Sequence, residues 1–302
     1  MKINSLIKSR SLSMAAFAGA LLLLAFNGQA QNLFVADWYD PGAIYEFTPD
    51  GTPATVYSGG LGEPEGLAFD SSGDLFVADS LVGSIYKITP GGTQTTFASG
   101  FGDINSIAFN TAGDLFACDY STGYIYEFTP GGSPSVFAHG LDLPGGLAFN
   151  AAGDLFVSDK SGHIYEYSPN GTPLSIFASG LVNPFALAFD AAGNLYAGYG
   201  GSGIGSGGIA KITPAGVVSS FATGLASPDY LAFDNAGNLF LADGTQGVDE
   251  FTPTGTETTI ATGLGNATGL AIQGQTLPVP EPSTWALMVA GASAWLGWRR
   301  KK

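Results

Sequence analysis

Three oxygen-bearing side chains, Glu65, Asn105 and Asp229, stand at one offset, two residues before the first residue of a recurring Leu-Ala-Phe element. Carboxylate and amide oxygens are the donors that a hard divalent cation such as Ca²⁺ takes. A cation held this way polarises a carbonyl oxygen as a Lewis acid, which is the chemistry of metal-assisted hydrolysis. The other copies carry Gly145, Phe185 and Thr268 at that offset, so the position varies where its neighbours repeat. A site grafted on a repeated scaffold has this character, and a rim of solvated polar side chains is the alternative. Glu63, Asp103, Asp142 and Asn183 lie close by and add negative potential.

Other routes to catalysis find little support. His139 replaces the Ser or Thr that ends an outer strand, and His163 occupies a strand start that is Ser84 in another copy. No Gly-x-Ser-x-Gly nucleophile elbow occurs. Residues Gly198 to Gly203 match Gly-x-Gly-x-x-Gly, but a dinucleotide site needs a helix to follow, and strand Ile209 to Thr213 follows instead. That segment reads as a loop insertion. Cys118, the single cysteine, sits where other copies have Ala or Ser and reads as a small buried apolar residue. Trp38, Tyr39, Tyr120, Tyr124 and Tyr199 fall in connections that share one side of the repeat. Aromatic faces stack on sugar rings, so they form a candidate carbohydrate-binding rim, with ordinary loop packing as the alternative.

The elements that position these residues follow from the repeat itself. Leu67, Ile107, Leu147, Leu187, Leu231 and Leu270 begin its six copies, 39 to 44 residues apart. A period of that size marks an array whose units bury their apolar faces on each other. Each copy reads as four strands. In the clearest, Leu67 to Phe69 leads into a turn from Asp70 to Asp74, in which Gly73 supplies a left-handed position. Strand two, Leu75 to Asp79, is apolar on both faces, as a strand between two neighbours must be. Strand three is Ile85 to Thr89, and strand four, Thr93 to Ala98, alternates polar and apolar residues like an edge facing water.

Four strands per copy and six copies predict an all-β fold, a six-bladed propeller. The array begins at strand two, Leu33 to Asp37, and ends with strand one, Gly269 to Ile272. Pairing of these N- and C-terminal strands would close the ring and remove two open edges. Strand two ends where strand one begins, which gathers the aspartates after each Leu-Phe-Val-Ala and the residues before Leu-Ala-Phe around one channel mouth. Asp37, Asp79, Asp119, Asp159 and Asp243 form the first set, with Gly198 or Tyr199 in the fifth blade. Repetition in five blades points to a structural task, tying down backbone amides of a turn.

Residues Pro64 to Tyr86, with the pattern Pro-x-Gly-Leu-Ala-Phe-Asp-x-x-Gly-Asp-Leu-Phe-Val-Ala-Asp-x-x-x-Gly-x-Ile-Tyr, resemble the NHL repeat and the related gluconolactonase (regucalcin-like) propellers. The resemblance implies a six-bladed fold over the whole body. It also implies a Glu/Asn/Asp metal set at the mouth, matched here by Glu65, Asn105 and Asp229. Propellers of this kind include binding modules, lactonases and streptogramin lyases, so activity does not follow from fold.

Both ends of the chain are of a different character. Residues 1–30 read as a signal peptide, with Lys2, Lys8 and Arg10 before an apolar run and Gly28-Gln29-Ala30 as a cleavage site. The body, 31–274, holds three lysines against 24 carboxylates, a net of −21. Such a surface repels polyanions and excludes nucleic acid as a partner. A proline-rich linker, 275–284, precedes a short hydrophobic helix and basic tail, 285–302. The apolar stretch Trp285 to Trp298 has 14 residues, about 21 Å as helix, a marginal span for a transmembrane segment. Linker, helix and basic cluster together resemble the PEP-CTERM sorting signal of Gram-negative bacteria, with Val279, Pro280, Glu281 and Pro282 as the motif. That resemblance implies signal peptidase and exosortase as processing partners, transient inner-membrane insertion, and delivery to the cell surface or extracellular matrix, often with exopolysaccharide. The expected function is an exported, non-enzymatic propeller binding a glycan, matrix polymer or surface protein. The alternative is a metal-dependent lactonase-like hydrolase.

Overall fold

In a computed structural model, the described residues are 31–39, 42–48, 55–200, 205–244 and 247–274. They form 24 strands and no helix. The expected signal peptide, linker, PEP motif and sorting helix lie outside the described residues, as does part of the blade-five insertion.

Six four-stranded antiparallel sheets are arranged as blades around a channel. Blade one contains β1 (Leu33–Asp37), β2 (Gly42–Phe47) and β3 (Thr55–Leu61). Blade two is β4 (Pro64–Phe69), β5 (Leu75–Asp79), β6 (Ser84–Ile88) and β7 (Gln94–Ser99). Blade three is β8 (Ile104–Phe109), β9 (Leu115–Asp119), β10 (Tyr124–Phe128) and β11 (Pro134–His139). Blade four is β12 (Pro144–Phe149), β13 (Leu155–Asp159), β14 (His163–Tyr167) and β15 (Pro173–Ser179). Blade five is β16 (Pro184–Phe189), β17 (Leu195–Tyr199), β18 (Gly207–Ile212) and β19 (Val218–Leu225). Blade six is β20 (Pro228–Phe233), β21 (Leu239–Asp243), β22 (Gly247–Phe251) and β23 (Glu257–Ala261). The last strand, β24 (Ala267–Ile272), is the innermost strand of blade one and pairs with β1, Leu33 opposite Ile272 and Val35 opposite Leu270. The ring is therefore closed by its two terminal strands.

Packing between blades explains why strand two is apolar on both faces. Phe34 and Ala36 of blade one share a core with Leu67, Leu75 and Val77 of blade two, and equivalent clusters fill the other interfaces. An edge-to-face aromatic pair recurs five times at 5.0 Å: Phe34–Phe69, Phe76–Phe109, Phe116–Phe149, Phe156–Phe189 and Tyr196–Phe233. Each such pair contributes about 0.5–1.5 kcal/mol beyond its area. At the closing interface Phe240 packs with Ile272 and Leu33 instead.

The turn after strand one forms as its residues dictate. Asp70 Oδ1 accepts the amides of Ser72 at 2.8 Å and Asp74 at 2.9 Å, and Gly73 has φ 83°. Strands three and four of this blade are shifted by one residue from the sequence expectation, and strand one differs more. Strand one starts three residues earlier, at Pro64 opposite Asp79, and a β-bulge separates this pair from Leu67 opposite Val77. The same bulge recurs in all six innermost strands.

Candidate functional site at the channel mouth

The bulge accounts for the placement of the variable column. Glu65, Asn105, Gly145, Phe185, Asp229 and Thr268 all fall within it, where the extra residue leaves the ladder and its side chain is re-aimed. The next column is small in five blades, with Gly66, Ser106, Gly146, Ala186 and Gly269. It is small because the neighbouring bulge presses on it: a Cβ on Gly269 would run into the carbonyl oxygen of Glu65, and one on Gly146 into that of Phe185.

The sixth member of that column is Tyr230, which the sequence reading passed over. Its hydroxyl crosses the channel to the carbonyl oxygens of Ile107 at 3.3 Å and Leu67 at 3.5 Å. Burial pushes its phenol up to about 12. Tyr230 thereby divides the channel. On one side lies a cavity of ≈ 190 Å³ lined by the Leu-Ala-Phe segments of the six inner strands. On the other lies the mouth, where Ser106, Gly145, Phe185 and Asp229 surround the ring. The signal was a single bulky residue in a column of small ones.

The recurring aspartates are occupied structurally. Asp79 accepts the amides of Gly62 at 2.8 Å and Glu63 at 3.0 Å, Asp119 those of Gly102 and Asp103, Asp243 those of Ala226 and Ser227, and Asp37 those of Gly265 and Asn266. Each thus anchors the loop that delivers the chain to strand one. Asp159 accepts from Asp142 N at 3.3 Å and from the Ser161 hydroxyl. In blade five Tyr199 takes the register position, opposite Pro184.

Glu65 and Asp229 are in another situation. Burial raises the Glu65 carboxyl to about 8, with Asp103, Asp229 and Glu63 adding repulsion and a hydrogen bond with Ser80 opposing it. Burial likewise lifts Asp229 to about 7, helped by Asp243, while Ser227 Oγ donates to its Oδ1 at 2.7 Å. Asn105 is 3 % exposed and its Oδ1 accepts from Cys118 Sγ at 3.2 Å. Cys118 is itself fully buried, and burial raises its thiol, as an inert packed residue requires.

As a donor set for a hard cation, Glu65 and Asp229 fit, since both are oxygen ligands that would give up a proton for a metal. Asn105 fits through the second lone pair of its oxygen, the first being taken by Cys118. Among the described residues, no group of three His, Cys, Asp or Glu side chains has metal-site spacing. The expected aromatics divide. Trp38 is 39 % and Tyr39 69 % exposed, Tyr124 stacks on Tyr126 beside His139, Tyr120 is partly buried, and Tyr199 lies over its cross-strand partner Gly208. His163 Nδ1 contacts Ser161 Oγ at 2.6 Å, and His139 ends the outer strand β11; neither borders the Tyr230 floor.

Residues 278–301 match the PEP-CTERM protein-sorting motif. The chain is thus an exported propeller carrying a C-terminal signal for processing by an exosortase and delivery through the cell envelope to the surface. No curated protein matches the chain in sequence. Among solved structures it is similar to a chain of a nidogen/laminin complex, with TM-score 0.70 and 22 % identity over 82 % of this chain and 99 % of that one. It is also similar to a gluconolactonase from Xanthomonas campestris, with TM-score 0.59 and 19 % identity over 71 % and 84 %. Virginiamycin B lyase from Staphylococcus aureus gives TM-score 0.51 and 15 % identity over 65 % and 68 %. At these identities the likeness is one of fold.

Proposed function

We propose that this exported propeller is a non-enzymatic binding module of the cell surface or extracellular matrix of a Gram-negative-type cell. Its channel mouth holds a glycan, another matrix polymer or a surface protein. The observation that carries this reading is the division of labour at the mouth. The recurring aspartates are consumed by loop amides, Tyr230 spans the channel beneath, and Glu65 and Asp229, in the bulges that follow, are left as carboxyls that burial holds near neutrality. Carboxyls near neutrality offer both donors and acceptors to a hydroxyl-rich ligand, and the exposed faces of Trp38 and Tyr39 suit sugar rings. One similar fold is itself part of a complex between proteins, nidogen and laminin.

A second reading, a metal-dependent lactonase-like hydrolase, is favoured by the same carboxyl pair. Glu65, Asp229 and Asn105 would hold a divalent cation, which when bound supplies Lewis-acid polarisation of a lactone carbonyl. Similarity of fold to a gluconolactonase accompanies this reading.

Affinity chromatography of the purified protein on exported polysaccharide, beside metal analysis and a lactone-hydrolysis assay, separates the two. Retention that is lost in Glu65→Gln and Asp229→Asn, without hydrolysis, supports the binding module. Stoichiometric cation with chelator-sensitive hydrolysis overturns it.

A further inference from the structure

Behind Tyr230 the channel is a cavity of ≈ 190 Å³ that has no part in the mouth. Its walls are the ends of the six inner strands, from Leu67 to Phe69 in blade two round to Leu270 to Ile272 in blade one, with no charged side chain among them. A cavity of about 150 Å³ lined by Leu, Ile and Phe takes up benzene, so this one admits a bulky aliphatic side chain. Its walls are not wholly apolar. Each inner strand ends its sheet, so the edge it turns to the axis carries backbone N–H and C=O groups outside the ladder, and Tyr230 reaches the carbonyls of Leu67 and Ile107. An occupant that brings backbone as well as apolar atoms answers both demands.

The rim opposes an anionic occupant. Asp70, Asp190 and Asp234 directly follow the lining residues Phe69, Phe189 and Phe233, and Asn110 and Asn150 follow Phe109 and Phe149. A free fatty acid would bring its carboxylate to these aspartates. Blade one alone breaks the ring of turns, because Gln273 stands where the other blades have Asp or Asn. Its amide donates to Asn32 O at 2.9 Å, as Asp70 N does to Asp74 O at 3.0 Å. Where the other blades turn back into strand two, the chain here leaves the ring, through Gly274 at φ 74°.

The segment that leaves matches the cavity. Residues Gln275-Thr276-Leu277-Pro278-Val279-Pro280 carry no charge, and Leu277 comes five residues after Ile272, which itself lines the cavity. Five residues of extended chain reach roughly 17 Å. So short a tether holds Leu277 at an effective concentration on the order of millimolar.

We propose that the reverse cavity is the docking seat of the chain's own proline-rich linker, with Leu277 as the side chain that enters it. Removal of Leu277 from water supplies the driving force, and the free edges of the inner strands take the linker's backbone groups. The seat also bears on sorting. Only Pro278 separates Leu277 from Val279-Pro280-Glu281-Pro282, so a seated linker holds that motif against the body, and Leu277 must withdraw before the motif extends away from the ring.

A diazirine-bearing aliphatic amino acid placed at position 277 of the full chain, irradiated in the cells that express it, tests the seat. Mass spectrometry of the monomeric band should find adducts on inner-strand residues such as Leu147, Phe189 and Leu231, and the same probe at position 286 should give none there. Adducts confined to lipid or to a second copy of the chain overturn the proposal, as does equal labelling of the inner strands from position 286. In the purified protein Leu277→Asp should lower Tm by about 2–4 °C, whereas Thr284→Asp leaves it unchanged, because only the first withdraws an apolar side chain from the cavity. Equal Tm values in the two variants overturn the proposal as well.

Discussion

The hydroxyl of Tyr230 donates to the main-chain carbonyl of Ile107 at 3.3 Å, joining residues 123 positions apart across the central channel. One side chain thus replaces six-fold symmetry at the axis with a floor. Tyr230→Phe removes the hydrogen bond and should cost about 1 kcal/mol in urea denaturation. Tyr230→Gly, which installs the residue of blades two and four, also removes the ring and should cost about 2–4 kcal/mol. A Gly variant as stable as the parent would mean that the phenol does not hold the inner strands together.

Stability should fall as pH rises from about 4 to about 8. In the unfolded chain Glu65 and Asp229 lose their protons near pH 4. In the folded chain they hold them until about 8 and about 7. Between those limits the folded state binds more protons, so raising pH favours unfolding, and the trend levels off above pH 8. Thermal melts across this range should show Tm declining, with a flatter profile in the Glu65→Gln, Asp229→Asn double variant. Parallel profiles for parent and variant would exclude these carboxyls as the source.

Asp119 accepts four hydrogen bonds, from the amides of Gly102, Asp103 and Thr122 and from Ser121 Oγ. Asp119→Ala leaves these donors without their acceptor and should destabilise by about 2–4 kcal/mol. Asp142→Ala, at an exposed carboxylate of the same rim, should stay within about 0.5 kcal/mol. Equal losses at the two positions would contradict the division between anchoring and rim acids.

The features legible in sequence are those that each blade states for itself. Asp70, Gly73 and Asp74 announce a turn by residue type, and Leu75 to Asp79 announces a strand buried on both faces. The bulge that re-aims Glu65 and Asp229 had no such marker, because any residue type sits in one and it shows only in pairing register. Tyr230 was invisible for a related reason. Read within its own blade it is an aromatic in a strand, and its significance lies in carbonyls contributed by blades two and three. Tyr199, at the mouth end of β17, lies over its cross-strand partner Gly208, a contact that only the pairing register reveals.

Deletion of Gly265 to Gln273 removes β24, leaving β1 with an open edge and the Phe240 cluster without Leu270 and Ile272. Cooperative unfolding should be lost, giving a broad calorimetric transition. A sharp transition at the parent temperature would show that the ring does not depend on this seam.

Replacement of Pro280 to Pro282 by alanine should trap the protein in the inner membrane, as read by fractionation of cells expressing the full chain. Surface release at parental levels would count against the motif as the sorting determinant.

Gln31 and Gln273 are hydrogen-bonded neighbours at the end of blade one remote from the mouth. Chain therefore enters and leaves the ring at one point, on its reverse side. The segment that follows Gln273 therefore starts from the side of the ring opposite Glu65 and Asp229, so removing it leaves the residues of the mouth untouched.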